Sequence, residues 1–382
     1  MINKLLILGG HIQALGLARQ AKQRQVKVFL VIQDKYSVTR FSLYVDEVSI
    51  CHDNEELLQC LRAQASSETM LFPTSDEYIA FIIQHYDLLN SLFTLALPQL
   101  SIVELFANKT LAYQFAEENR IPHPWSRYPQ SLSEVESMSG SLEYPVIIKP
   151  SVMYSFHKRF GKKAFLCHDK KDLLGKIKEL VMADYPIQSL IIQEFLSGGA
   201  KQLYSFGFFA VNGVVKSSIL VNRIRQNPMD FGNSTTYAIT TDIPEIEEQS
   251  RHLIAITRYS GMGEIEFMFD KGEYKFLEIN TRAWKWHSIT MGKGFSFIGD
   301  WIDWLNGKNL SARDNSLETV AWVERLTDFA VIAKGLFRRQ FSVLEVFHSY
   351  CIPKVNAVWS RKDPLPALMY FLLSPVLFVK RH

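Results

Sequence analysis

The chain has 382 residues, 47% of them hydrophobic and 21% charged, with a formal net charge of +3. That balance suits two or three globular domains with real cores and excludes a disordered or collagen-like chain. The small net charge also excludes a strongly basic nucleic-acid binder, and the basic excess lies at the C-terminal end, where residues 322–382 carry nine Lys/Arg against four Asp/Glu.

The opening "NKLLILGGHIQALGLARQAKQRQVKVFLV" reads as strand, glycine turn, amphipathic helix and strand, the start of a parallel α/β domain. Gly9, Gly10 and Gly16 do not complete G-x-G-x-x-G, so a dinucleotide site is not supported. The run "LLIL" is too short for a signal-peptide core. Cys51, Cys60, Cys167 and Cys351 make no C-x-x-C pair, which suits a reducing cytoplasmic setting rather than a disulfide framework or structural zinc. "TMLFPTSDEYIAFIIQHY" continues the pattern as strand and helix, with Thr74 and Glu77 as a possible capping box.

Near residue 100 the style changes. "VELFANKTLAYQFAEENRIPHPWS" reads as a helix running into a Pro-rich loop, and "YPVIIKPS" as a buried strand ending at Lys149. "KKAFLCHD", "SLIIQEFL", "LYSFGFFAVNGVVKSSIL" and "GEIEFMFDKGEYKFLEINTR" read as further strands, antiparallel by their short connections.

The last of these is a hairpin with unusual chemistry. A three-residue loop at Lys271-Gly272-Glu273 sets Asp270 opposite Tyr274, Met268 opposite Phe276, Glu266 opposite Glu278 and Glu264 opposite Asn280. Carboxylates opposed at about 5 Å repel, so a cation is expected between Glu266 and Glu278. A solvated face paired to surface Lys or Arg is the plain alternative, and a two-residue loop would turn Glu266 off this face. Asn280 and Arg282 continue in phase. Two carboxylates and an amide oxygen suit Mg²⁺, which completes its shell with water and phosphate oxygens, and an adjacent Arg suits the same anion. Lys109, opening its helix, and Lys149, ending its strand, are candidate cations for a polyphosphate. Gln193, Glu194, Phe195 and Leu196 form a strand end able to meet an adenine.

The ordered set "NKTLAYQFAEENRIPHPWS", "YPVIIKPS", "IIQEFLSGG", "RIRQNPMDFG", "GEIEFMF" and "YKFLEINTRAWKW" resembles the ATP-grasp superfamily over roughly residues 1 to 310. It looks most like the carboxylate–amine ligase branch, with its carbamoyl-phosphate-synthase-like and D-aspartate-ligase-like members. The resemblance implies a mixed α/β and α+β fold: a Rossmann-like pre-ATP-grasp domain (1–100), an ATP-grasp domain of antiparallel sheets (101–310, lid at 122–190), and a helical, aromatic, basic extension (311–382). It implies ATP, with Lys109 and Lys149 at the phosphates and the adenine side of the cleft, Lys163 as a further cation, and Gln193 to Leu196 at the adenine hinge. It also implies Mg²⁺ (two ions, or Mn²⁺) on Glu266, Glu278 and Asn280, with Arg282, Arg223 and Arg225 near the γ-phosphate or substrate carboxylate. The substrates it implies are a small carboxylate and an amine.

Two departures stand out. "SVMYSFHKRFGKKAF" replaces the usual glycine-rich phosphate loop, offering Lys158, Arg159, Lys162 and Lys163 instead, and Ala200, Lys201 and Gln202 stand where an acid often binds ribose. Two other functions stay open: a non-catalytic nucleotide-binding scaffold, and a bicarbonate-using carboxylase, whose usual Gln-Val-Glu-His run is here Ala283-Trp284-Lys285-Trp286. Trp284 and Trp286 are expected in the core or lining an acceptor pocket, and His287 as a structural histidine. The tail "LPALMYFLLSPVLFV" covers about 22 Å as a helix against about 30 Å of hydrocarbon, so it is not read as a membrane span. The 322–382 segment either packs on the body of the protein or makes a weak peripheral contact with an anionic membrane surface or a partner.

Overall fold

The computed structural model describes residues 1–152, 156, 159–229, 234–310 and 318–381. The first five strands are β1 (Lys4–Leu8), β2 (Lys27–Ile32), β3 (Glu47–Ile50), β4 (Thr69–Pro73) and β5 (Thr94–Leu95). They form one parallel sheet ordered β3-β2-β1-β4-β5. Central β1 reads KLLIL because a parallel strand flanked on both sides and covered on both faces has almost no solvent edge. The helix after β4 spans Asp76–Gln84, and its cap is Ser75, whose hydroxyl accepts from Tyr78 N. The expected cap, Thr74, instead turns its hydroxyl back to Leu8 O at 2.6 Å, since it still lies in the sheet layer.

Residues 100–118 make two helices rather than one, Leu100–Ala107 and Lys109–Glu118. Asn108 breaks between them in an extended conformation and caps the second through Thr110 N and Leu111 N. A four-stranded antiparallel sheet follows: β6 (Ser126–Arg127), β7 (Val146–Pro150), β8 (Phe165–Cys167) and β9 (Leu190–Glu194), ordered β6-β9-β7-β8. Val146, Ile148, Leu190 and Ile192 alternate into its core.

The largest sheet holds β10 (Leu203–Val211), β11 (Val214–Asn227), β12 (Ser234–Thr240), β13 (Gly261–Asp270), β14 (Glu273–Asn280), β15 (Ala321–Val323) and β16 (Lys354–Asn356). Its order is β14-β13-β10-β11-β12-β15-β16. The segment 311–382, expected to be helical, thus adds two strands to this sheet. Trp322 is pulled in because its ring is fully buried and its indole donates to Ser288 Oγ at 3.0 Å. One apolar cluster joins the parallel sheet to this one through Trp284, Trp286, Phe297, Trp301 and Trp322. Among the described residues no helix is long and apolar enough to cross a membrane.

Candidate active site

The β13–β14 hairpin turns on two residues, not three. Lys271 (φ 51°) and Gly272 (φ 88°) are both left-handed, the backbone of a tight hairpin turn. Asp270 therefore pairs with Glu273, Phe269 with Tyr274, Met268 with Lys275 and Phe267 with Phe276. Left uninterrupted, that register would put Glu266 and Glu278 out of step. A bulge at Leu277 inserts one residue, and beyond it Glu266 faces Glu278 and Glu264 faces Asn280. The expected pairs at the functional end are present for a reason the sequence reading did not contain.

Room for these side chains comes from the next strand. Ser205 pairs with Glu266, and Gly207 with Glu264. A Cβ on Gly207 would lie 2.6 Å from Trp284 Cζ2, so only glycine lets the indoles settle over the sheet. Trp286 Nε1 then donates to Glu264 Oε1 at 2.7 Å. Asn280 Nδ2 donates to Glu264 Oε2 at 2.9 Å and to Glu266 Oε1 at 3.2 Å, which leaves the amide oxygen as its acceptor.

The cations required between the glutamates come from two other elements. Arg223 on β11 pairs with Glu266, Nη1 to Oε2 at 2.6 Å, and its Nε is buried without an acceptor. Lys109 Nζ bonds Glu278 Oε2. Attraction to Lys109 holds the Glu278 carboxyl well below the usual carboxylate range. Burial, and then repulsion by Glu266, push Glu264 above it. Lys149 Nζ donates to Tyr113 Oη at 2.7 Å, and burial together with the repulsion of Lys109 pulls its pKa well below the ordinary lysine value. Lys163 is half-buried at the same cleft, its pKa lowered by burial.

Glu264, Glu266, Glu278, Asn280, Arg223, Lys109 and Lys163 line a cleft of about 650 Å³ that reaches the parallel-sheet domain at Gln13, Thr74 and Asp76, whereas Lys149, held by Tyr113, stands behind this lining. Arg282 ties the two sides together, Nε to Asp76 Oδ1 at 2.5 Å and Nη2 to Oδ2 at 3.2 Å. Glu264 and Asp76 were missed by sequence reasoning. The first was legible from its two-residue phase with Glu266; the second sits two hundred residues away, at the start of the helix after β4, and gave no local sign.

Several expected residues are placed elsewhere. Arg225 is not at the cleft: its guanidinium makes two 2.8 Å bonds to the buried Asp328 and stacks 4.1 Å from the Tyr237 ring, because bulges on either side of it in β11 redirect the strand. Glu194, expected at an adenine edge, is held by Lys275 at 2.6 Å and Lys271 at 3.2 Å. Gln193 Nε2 donates to Ser126 Oγ, and Phe195 and Leu196 are half-buried. Arg159 turns to the carbonyls of Ala183 and Asp184, and Lys162 is exposed. Lys158 and the end of "RIRQNPMDFG" lie outside the described residues. Trp284, Trp286 and His287 are buried, and both indoles also border the cleft.

Among the described residues no three His, Cys, Asp or Glu groups converge on one point. The donor set nevertheless fits Mg²⁺, which takes one or two carboxylates and completes its shell from phosphate and water rather than from an all-protein cage. Glu266, Glu278 and the Asn280 amide oxygen are the residues that would hold it. The unaccepted Nε of buried Arg223 beside them calls for an anion.

Parallel domain, four-stranded antiparallel sheet and large antiparallel sheet closing on a cleft constitute the ATP-grasp fold. No family model matches the sequence. Among solved structures the chain is similar to a biotin carboxylase from Campylobacter jejuni (TM-score 0.65, 16% identity, 81% of this chain and 72% of that one). It is also similar to the N5-carboxyaminoimidazole synthetase from Staphylococcus aureus (0.64, 14%, 88% and 86%). A third likeness is the biotin carboxylase domain of the Hydrogenobacter thermophilus 2-oxoglutarate carboxylase, solved with MgADP, ADP and bicarbonate (0.64, 16%, 81% and 71%). At these identities the likeness establishes the fold.

Proposed function

We propose that the protein is an ATP-dependent ligase that activates a carboxylate as an acyl phosphate and joins it to an amine. The observation that carries this reading is the meeting, in one cleft, of Glu266, Glu278 and Asn280 with Arg223, Lys109 and Arg282, drawn from four separate elements and the segment just after β14. Solved structures of the same fold that hold ADP and magnesium support a nucleotide site here.

In the first step a substrate carboxylate oxygen attacks the γ-phosphorus of ATP, the bond to the β-phosphate oxygen breaks, and ADP leaves. In the second an amine nitrogen attacks the acyl carbonyl, phosphate departs with the bonding pair, and the amine releases a proton to give the amide. Phosphoryl transfer of this kind depends on positioning and charge stabilisation more than on covalent help. Arg223, with an unsatisfied Nε, and Lys163 would stabilise the transferring phosphoryl oxygens. Lys149, low in proton affinity and bonded to Tyr113, would meet ATP on the nucleotide side. Magnesium, when bound by Glu266, Glu278 and Asn280, would neutralise the phosphates' developing charge. Arg282, braced by Asp76, would hold the acyl phosphate at the domain junction, and the Trp284–Trp286 wall would exclude water from it.

The test is a screen of carboxylate and amine pools, bicarbonate included, read by mass spectrometry. A new amide with one ADP per bond is the expected result. Nucleotide binding with no ADP formed from any pool would refute the ligase reading and leave a non-catalytic nucleotide-binding protein. A carboxylated product from bicarbonate would make bicarbonate the activated carboxylate and put the carboxylase reading in place of the amide ligase.

A further inference from the structure

The segment after β15 presents a surface that the cleft does not use. Its last helix, Leu365–Arg381, carries no charged residue between Leu365 and Val379. Such a helix is normally buried all round. Here the inner face is: Pro366 and Tyr370 are buried, Ala367 and Leu377 pack on the core of the parallel domain, and the helix lies against Val38–Phe41. The outer face is not. Leu365, Leu368, Phe371, Leu372 and Val376 are 38–66% exposed, and Trp359, just before the helix, is 50% exposed.

The charge that residues 322–382 show at their surface is one-sided. Of the four acids in 322–382, Glu324, Asp328 and Asp363 are fully buried. Asp328 is neutralised by Arg225 and Asp363 by Arg19, while Glu324 caps a helix 3.5 Å from Lys285. Glu345 alone is exposed. The cations Arg325, Lys334, Arg338, Arg339, Arg361 and Lys362 all remain at the surface, so folding removes the acids and keeps the bases outside.

We propose that the outer face of the C-terminal helix, with Trp359, Arg361 and Lys362, docks on an anionic lipid surface. Apolar side chains beside cations match the acyl boundary and the headgroup charge respectively. A second copy fits poorly: an antiparallel two-fold pairing would bring the Arg361–Lys362 end of one helix to the Lys380–Arg381 end of the other. Spanning is excluded too, since 17 residues reach only about 26 Å and the inner face is bound to the body. The base of the helix is already rigid, with Asp363 accepting from Arg19, Ser42 Oγ and Leu43 N, so docking orders no new segment.

The test uses full-length protein and vesicles of phosphatidylcholine, alone or mixed with phosphatidylglycerol. Flotation with the mixed vesicles only, abolished by high salt, is expected. Arg361→Gln with Lys362→Gln should weaken it roughly thirtyfold, from about a fivefold loss per cation. Leu368→Ser with Leu372→Ser, both at exposed positions, should weaken it by roughly tenfold or more. No flotation of the wild type, or equal flotation of the serine variant, overturns the proposal. So does a wild-type dimer by light scattering that the serine variant converts to monomer without any vesicle binding, which would assign the face to a second copy.

Discussion

His287 offers a quantitative test of how the two halves of the cleft are held together. The residue is fully buried, its Nε2 lies 2.9 Å from Gln13 O in the parallel domain, and its Nδ1 has no partner. Gly16 permits the approach: a Cβ there would lie 2.8 Å from Nε2. With Nε2–H donating to the carbonyl, a second proton would go to Nδ1, where nothing accepts it. Burial accordingly lowers the pKa from 6.5 to about 4. The folded pKa is depressed, so between these values the unfolded chain binds the proton and the native protein does not. Stability therefore rises with pH across this window and is lost as pH falls through it. The gap corresponds to about 3 kcal/mol. Denaturant unfolding of wild type and His287→Gln from pH 4 to 7 measures it, because Gln keeps a donor for Gln13 O without the titration. The acid limb of the variant should be flatter by about 3 kcal/mol. Superimposable limbs would refute the buried neutral tautomer.

Glu278→Gln removes the partner of Lys109 and a proposed magnesium oxygen, so ADP formation should fall on the order of a hundredfold while the melting curve keeps its shape; a fully active variant would contradict the site. Arg225→Met leaves Asp328 buried and unpaired, and should lower unfolding free energy by about 3–5 kcal/mol with nucleotide affinity of the folded fraction unchanged. Adding Asp328→Leu should recover part of that loss; a stable but inactive Arg225→Met would instead place Arg225 in the chemistry. Gly207→Ala should cost about 1–3 kcal/mol in denaturant melts and alter tryptophan fluorescence, since the new methyl meets Trp284 and Trp286. An unchanged emission spectrum would count against the proposed close packing.

The order of elements and the identity of the carboxylate pair were legible along the chain because both rest on local periodicity. Alternation places Glu264, Glu266, Glu278 and Asn280 on one face, and the apolar runs of β1, β4 and β7 mark strands wherever they fold. The details of the hairpin were not: a two-residue turn and a bulge at Leu277 offset each other, and two errors of register that cancel leave no trace in a hydrophobic pattern. Arg223 and Arg225 show the same limit more sharply. In sequence they are equivalent, two residues apart on one strand. Bulges that depend on pairing with β12 send one to Glu266 and the other to Asp328, a hundred residues downstream. The meeting of Asp76 with Arg282, the loss of Glu194 to Lys275, and the burial of three acids from the C-terminal segment are likewise decided by which surfaces come together. Local sequence sets which side chains an element can present. What each finds opposite itself depends on long-range contacts, and only the packed chain determines those.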